Sequence, residues 1–170
     1  MTKFISSVDI DKIALAHRRA LGFRDDQAID GMTLITKLKR RYPNLNYLRV
    51  PDAEMTSQEA QWDDQRKLIL IPERLLRDIN SGKPRGIMTL AHEVGHALLG
   101  HKGILNRGPI GTKAEKHSAN LRRMESQARR YAAAFLIPDT PYVRSLDAIA
   151  IARKFGVSLE AARIRKLEFT

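Results

Sequence analysis

The sequence predicts an α+β fold, mostly helical, with a small antiparallel sheet and a C-terminal helical pair. Three observations carry that expectation. Apolar residues recur at helical spacing through Val8–Leu21, through the segment that follows Pro84, and through the stretch that ends at Pro138. β-rich alternation is confined to short runs between Leu45 and Ile71. Finally, "SLDAIAIARKFGVSLEAARIRKLEF" reads as two short helices broken at Phe155-Gly156-Val157-Ser158, with Ser158 as an N-cap.

The elements follow in order. In the first helix Ile10, Ile13, Ala14, Ala16 and Leu21 supply the apolar stripe, and the polar "GFRDDQAIDG" is a loop. "MTLITKLKRRY" is a second helix stopped by Pro43, and "LNYLRV" is a strand ending at Pro51. "EAQWDDQRKLILI" predicts a hairpin: one strand through Trp62, a turn at Asp63-Asp64-Gln65, and a strand from Lys67 to Ile71. Pro72 opens a short helix that "NSGKP" closes, and Pro84 starts a longer helix running to about Gly100. Three glycines and a proline make "HKGILNRGPIGTKAEKHSAN" a loop, after which a long helix runs from Ser118 to Ile137.

A chain of 170 residues with 43% hydrophobic and 29% charged residues has the composition of an ordinary globular domain. The absence of cysteine excludes a disulfide framework and a thiolate metal site. No apolar signal stretch opens the chain and no window is long and apolar enough for a bilayer, so a cytoplasmic location is expected. The formal charge of +11 is concentrated from Gly86 onward and suits an acidic partner or nucleic acid.

The chemistry is concentrated in "TLAHEVGHALLGH". His92 and His96, four residues apart, lie on one face of a helix and can aim two imidazole nitrogens at one point. Glu93 sits about 100° round the helix, wrongly placed to be a third ligand beside them but able to reach a water at the remaining coordination position. The helix is apolar on most sides, so neutral imidazoles in its wall need a partner, and a metal serves as one. A catalytic zinc takes three protein ligands and keeps one position open. His101 is one candidate for the third ligand, but it reads better as the helix end, where a cationic or donating ring is favoured. Glu115 and His117 lie in a stretch without apolar periodicity and read as solvated. Glu125 sits within the inward stripe of Leu121, Met124, Ala128, Tyr131, Ala132 and Phe135. A buried carboxylate needs a cation, so Glu125 is the better third ligand, with an ion pair to Arg122 or Arg129 as the alternative.

"LAHEVGHALLGH", "MESQARRYAAAFLIP" and "IARKFGVSLEAA" together resemble the ImmA/IrrE-type metallopeptidases, over roughly residues 50 to 160. The Glu-x-x-Ala-x-x-aromatic-Ala block that follows the HExxH helix is here Glu125, Ala128, Tyr131 and Ala132, closed by Pro138. Tyr131 stands where phenylalanine is usual, and Gln127 stands at a second acidic position, leaving Glu125 as the block's one carboxylate. The resemblance implies a zincin-like domain over residues 1–138, with 139–170 packed on it as a helix-turn-helix-like extension. It also implies one zinc per chain on His92, His96 and Glu125, with Glu93 as the catalytic base. The implied activity is gluzincin-like cleavage of a specific regulator such as a helix-turn-helix repressor, derepressing stress or mobile-element genes. Two other classes remain open at this stage. The C-terminal pair, with Arg163, Arg165 and Lys166, could read DNA, or the protein could carry zinc without cleaving and sequester a repressor. For a peptidase, an extended substrate is expected along an edge strand, with Lys67–Ile71 as the candidate. Tyr131 reads as a core residue before it reads as a donor to the oxyanion.

Overall fold

The structure, a computed structural model, describes residues 2–55, 59–102 and 112–169, with the backbone alone over 112–117. Its elements are α1 (Ser7–Ala20), α2 (Gly31–Arg41), β1 (Asn46–Val50), a 3-10 turn (Asp52–Glu54), β2 (Gln61–Asp63), β3 (Leu68–Pro72), α3 (Glu73–Asn80), α4 (Pro84–Leu98), α5 (Thr112–Leu136), α6 (Pro141–Ser145), α7 (Ala148–Phe155) and α8 (Leu159–Glu168). The α+β class stands, with helices dominant and the C-terminal pair present as α7 and α8. Two short elements add to the expected set, the 3-10 turn and α6, the latter capped by the Thr140 hydroxyl on the Val143 amide. No described helix is long and apolar enough to cross a membrane.

The sheet corrects the expectation of an antiparallel arrangement. Its strand order is β1-β3-β2, with β1 parallel to β3 and β2 antiparallel to it. The hairpin is as predicted: Trp62 pairs with Ile69, and the turn closes with the Asp63 carboxylate accepting from the Arg66 amide at 3.1 Å. Lys67 leaves that turn with φ 54. The chain after β1, however, passes to the far side of β3 before β2 begins, and β1 runs parallel to β3, with Asn46 opposite Leu68 and Val50 opposite Pro72. β3 is therefore the central strand and not the edge. Its continuous apolar run, with Ile69 and Ile71 buried, is the mark of a strand paired on both sides. Tyr47 and Leu48 of β1 are exposed, as suits an edge.

The helical layer places the site. α4 packs against α5, and α1 packs against α5 as well. α4 opens with Pro84 in its first turn, where a missing N–H costs nothing, and buries Ile87, Leu90, Ala91 and Val94. In α1 the buried positions are Ile10, Ala14 and Arg18, while Ala16 is exposed. Arg18 takes the last place of the stripe because its guanidinium donates to the Phe135 and Leu136 carbonyls at the end of α5, at 2.8 and 3.3 Å. Those carbonyls have no partner inside their own helix, so the buried cation satisfies groups that would otherwise be orphaned. Its burial lowers its pKa to about 10, which leaves it charged at neutral pH. α5 begins at Thr112, ahead of the predicted Ser118, and ends before Pro138. Of the predicted loop 101–120, residues 103–111 lie outside the described residues, and the part from Thr112 onward is helix and not loop. Met124, Ala128, Tyr131, Ala132 and Phe135 are all buried, as the stripe requires, and Leu121 is half-buried.

α7 and α8 form the expected pair. Gly156 ends α7 with φ 65, the left-handed conformation that glycine adopts without strain, and the Ser158 hydroxyl accepts from the Ala161 amide at 3.0 Å. Phe155, Val157 and Ala162 anchor the pair in the core. Arg165 is fully buried, donating to the Ile137 carbonyl at 2.9 Å and pairing with Asp11 and Glu168. Lys166 donates to the Arg144 and Leu146 carbonyls. Two of the three cations expected to face a duplex therefore hold the pair to the rest of the chain.

Candidate metal centre

α4 and α5 lie side by side with His92, Glu93 and His96 on one helix facing Glu125 on the other. The imidazole rings of His92 and His96 stand 4.7 Å apart between centroids and nearly perpendicular, at 82°. Their Nε2 atoms are 3.1 Å apart. The Glu125 carboxylate closes the triangle, Oε2 lying 3.0 Å from His92 Nε2 and Oε1 3.1 Å from His96 Nε2. Donors arranged tetrahedrally at bonds of about 2.0–2.1 Å are separated by about 3.3 Å, so the three groups converge as a single cation would require. The alternative ion pair for Glu125, to Arg122 or Arg129, is not formed.

The two carboxylates occupy opposite environments. Glu125 is half-buried, and hydrogen bonds to His92 and His96 hold it well below the usual carboxylate range. Glu93 is buried, and desolvation raises its pKa, opposed by the neighbouring histidines and by a hydrogen bond with the Trp62 backbone. Glu93 also lies close to both imidazoles: one donor atom from each of His92, Glu93 and His96 falls within a 4.8 Å group. Proximity therefore does not separate the two acids; contact does, since Glu125 touches both ring nitrogens. An acid held ionised beside two imidazoles suits a ligand. One whose charge burial disfavours suits a proton carrier.

These groups line a cleft of about 500 Å³. Gln61 and Trp62 of β2 form one wall, and Arg129, one turn beyond Glu125, stands at the other. At the mouth, Thr89 donates to Glu59 at 3.1 Å and Arg85 pairs with the same carboxylate.

Gly95 explains how the two helices come close enough. A Cβ there would meet Tyr131 Cδ1 at 3.0 Å and its Cβ and Cγ at 3.2 Å, so the missing side chain sets the α4–α5 spacing. Tyr131 itself is fully buried, its hydroxyl 2.8 Å from His17 Nδ1 and its ring stacked on Phe135. It is a core residue and takes no place in the cleft.

His101 corrects the sequence reading. It does close the end of α4, but as a buried ring and not an exposed cation: it is 2% exposed, with Nδ1 2.8 Å from His96 Nδ1 and Nε2 2.8 Å from Gln127 Oε1. Desolvation lowers its pKa, favouring the neutral ring. The sequence sets His101 aside as a third ligand and gives Gln127 no place in the site. The signal was available for Gln127, which falls between stripe positions Met124 and Ala128 and is buried. The side chains of Glu115 and His117 lie outside the described residues.

The helix pair, its imidazole–carboxylate cluster and the cleft beside β2 define a metallopeptidase-like domain built on an HExxH helix. The family model of peptidase M78, the IrrE N-terminal-like domain, matches residues 40–166, and the chain belongs to that family. Among curated proteins none matches the chain. Among solved structures, a Mycobacterium tuberculosis transcriptional regulator is similar in fold, with a TM-score of 0.56 at 16% identity. The similarity covers 91% of this chain and 45% of that one, so this chain spans less than half the length of that neighbour.

Proposed function

We propose that this protein is a zinc-dependent endopeptidase that cleaves a specific cytoplasmic regulator, with a helix-turn-helix repressor as the substrate class. The observation that carries the reading is the convergence of His92, His96 and Glu125 within 3.0–3.1 Å of one another. Beside them stands a second, buried carboxylate that makes no such contact. His92, His96 and Glu125 would hold one zinc, with Glu93 left as the base. Bound there, zinc supplies Lewis acidity, lowering the pKa of a water toward about 7 and polarising the scissile carbonyl. Glu93 takes the proton of the attacking water and returns it to the departing amine. Burial favours that role, since a raised pKa lets one carboxyl both accept and donate near neutrality. A purely structural site has no use for such a group.

The substrate would lie along β2, the sheet edge whose Gln61 and Trp62 border the cleft, in place of the central β3. The surplus of 30 Lys and Arg over 19 Asp and Glu favours encounter with an acidic segment of the target. The DNA-reading alternative receives less support, because α8 exposes Ile164 and Leu167 while Arg165 and Lys166 are engaged internally. An apolar outer face suits a protein contact better than a phosphate backbone.

The test is co-incubation with a helix-turn-helix repressor taken from the neighbouring genes, with and without a chelator. Chelator-sensitive cleavage supports the proposal. A repressor bound but left intact by zinc-loaded protein would favour sequestration, and duplex binding without cleavage would favour the regulator.

A further inference from the structure

His96 is tied at its far nitrogen into a chain of hydrogen bonds whose directions can be assigned. A backbone carbonyl only accepts, so the Lys3 carbonyl, 2.9 Å from Gln127 Nε2, orients that amide with its NH₂ toward residue 3. Gln127 Oε1 then faces His101 Nε2 at 2.8 Å, and that nitrogen must carry a proton. In the neutral ring His101 Nδ1 is consequently bare and can only accept. Its neighbour at 2.8 Å, His96 Nδ1, must donate. The proton that His96 Nε2 shares with Glu125 in the metal-free chain is then the one a metal would displace, which leaves the ring's lone pair on Nε2, facing His92 and Glu125.

The backbone places His101 for this purpose. Gly100 follows α4 with φ 71, and the chain reverses so that the His101 amide donates to the His96 carbonyl at 3.0 Å. The Gly100 amide donates to the Ala97 carbonyl, completing a Schellman turn that folds the His101 ring back beneath His96. Trp62 Nε1 donates to the His101 carbonyl at 3.2 Å, linking the turn to the cleft wall at β2. The N-terminal segment is pinned on α5 by Thr2 to Asn120 and by Arg123 to the Thr2 carbonyl, which fixes the Lys3 carbonyl as the chain's anchor.

We infer that His101 and Gln127 are positioning residues that hold His96 with its proton on Nδ1 and so present Nε2, unprotonated, to the metal. The inference rests on the metal-centre reading above. Second partners of this kind fix ring orientation and ligand basicity, and their loss typically weakens metal affinity about 10–100-fold. The N-terminal segment thereby becomes part of the metal site although it touches no ligand.

The test uses the full chain with ring-¹⁵N histidine, metal-free and zinc-loaded, together with zinc affinity by competition against a chromogenic chelator. A scalar coupling between the two Nδ1 nitrogens, with the proton assigned to His96, is expected in both forms. His101→Phe keeps a ring but offers no acceptor, and should weaken zinc about 10–100-fold. His101→Asn places an amide oxygen where Nδ1 was, and should bind within about threefold of the parent. A role in packing alone predicts the opposite order, because phenylalanine fills the buried site and asparagine does not. Gln127→Met should weaken binding and abolish the coupling. A proton found on His101 Nδ1, or parental affinity in His101→Phe, would overturn the inference. If the parent binds no zinc while the coupling and proton placement are as described, the metal-centre reading fails and the hydrogen-bond chain stands.

Discussion

Gly95→Ala tests whether the α4–α5 spacing makes the site. The new methyl would sit 3.0–3.2 Å from three atoms at the root of the Tyr131 side chain, several tenths of an ångström inside ordinary contact. Tyr131 cannot yield by swinging its ring, which is fully buried, stacked on Phe135 at 12° and tethered through its hydroxyl to His17. The helices must part instead. Overpacking of this kind costs about 1–3 kcal/mol. Replacing glycine by alanine inside a helix returns about 1 kcal/mol. With so little room to relax, the net effect is a loss of about 1–2 kcal/mol, or roughly 2–8 °C in Tm for a chain of this size. The functional effect is larger than the stability effect suggests. His92 and His96 flank Gly95 on α4 while Glu125 is on α5, and metal bonds tolerate only about 0.2 Å. Zinc affinity should fall about tenfold or more. Thermal melting of the metal-free protein and chelator competition read the two effects separately. A Gly95→Ala variant as stable as the parent, with zinc bound as tightly, would refute the argument.

The other predictions divide the roles within the site. Glu93→Gln should keep zinc and lose cleavage, read by metal analysis and by proteolysis of the substrate. The same change should stabilise the metal-free protein at pH 7 by about 1 kcal/mol, because burial opposes the charged form of the parent's carboxyl, which the unfolded chain adopts freely. That advantage should fade as pH falls below the ordinary carboxylate range, where the group is protonated in folded and unfolded chains alike; an equal advantage at every pH would show that desolvation is not its source. Glu125→Ala should release zinc whereas Glu115→Ala should not, and the reverse result in elemental analysis would move the third ligand off the α5 stripe. Arg129 stands in the cleft one turn beyond Glu125. Arg129→Ala should leave zinc in place and lower kcat/KM for the substrate by about tenfold or more, as loss of a cation near developing negative charge does; unchanged kinetics would place Arg129 outside the reaction.

What the sequence by itself determined is local in origin. The spacing of His92 and His96 follows from helical periodicity, and Glu125 was recognisable as a carboxylate set into an apolar stripe. Pro84 and Ser158 mark helix starts through chemistry confined to a few neighbouring residues. Tertiary structure decided whatever depended on which distant segments meet. The strand order turned on the path between β1 and β2: no pairing preference inside "LNYLRV" specifies which side of β3 it takes, or in which direction. Arg18 has no place in the apolar stripe of its helix, and it is buried because the carbonyls of Phe135 and Leu136 lie beside it to accept from its guanidinium. His101 had the signature of a charged helix end, but a turn at Gly100 and the approach of Gln127 from α5 bury it as a neutral ring. Burial can reverse the role of a polar side chain because an unmet donor or acceptor is costly away from water, and its partners here lie on segments distant in the chain.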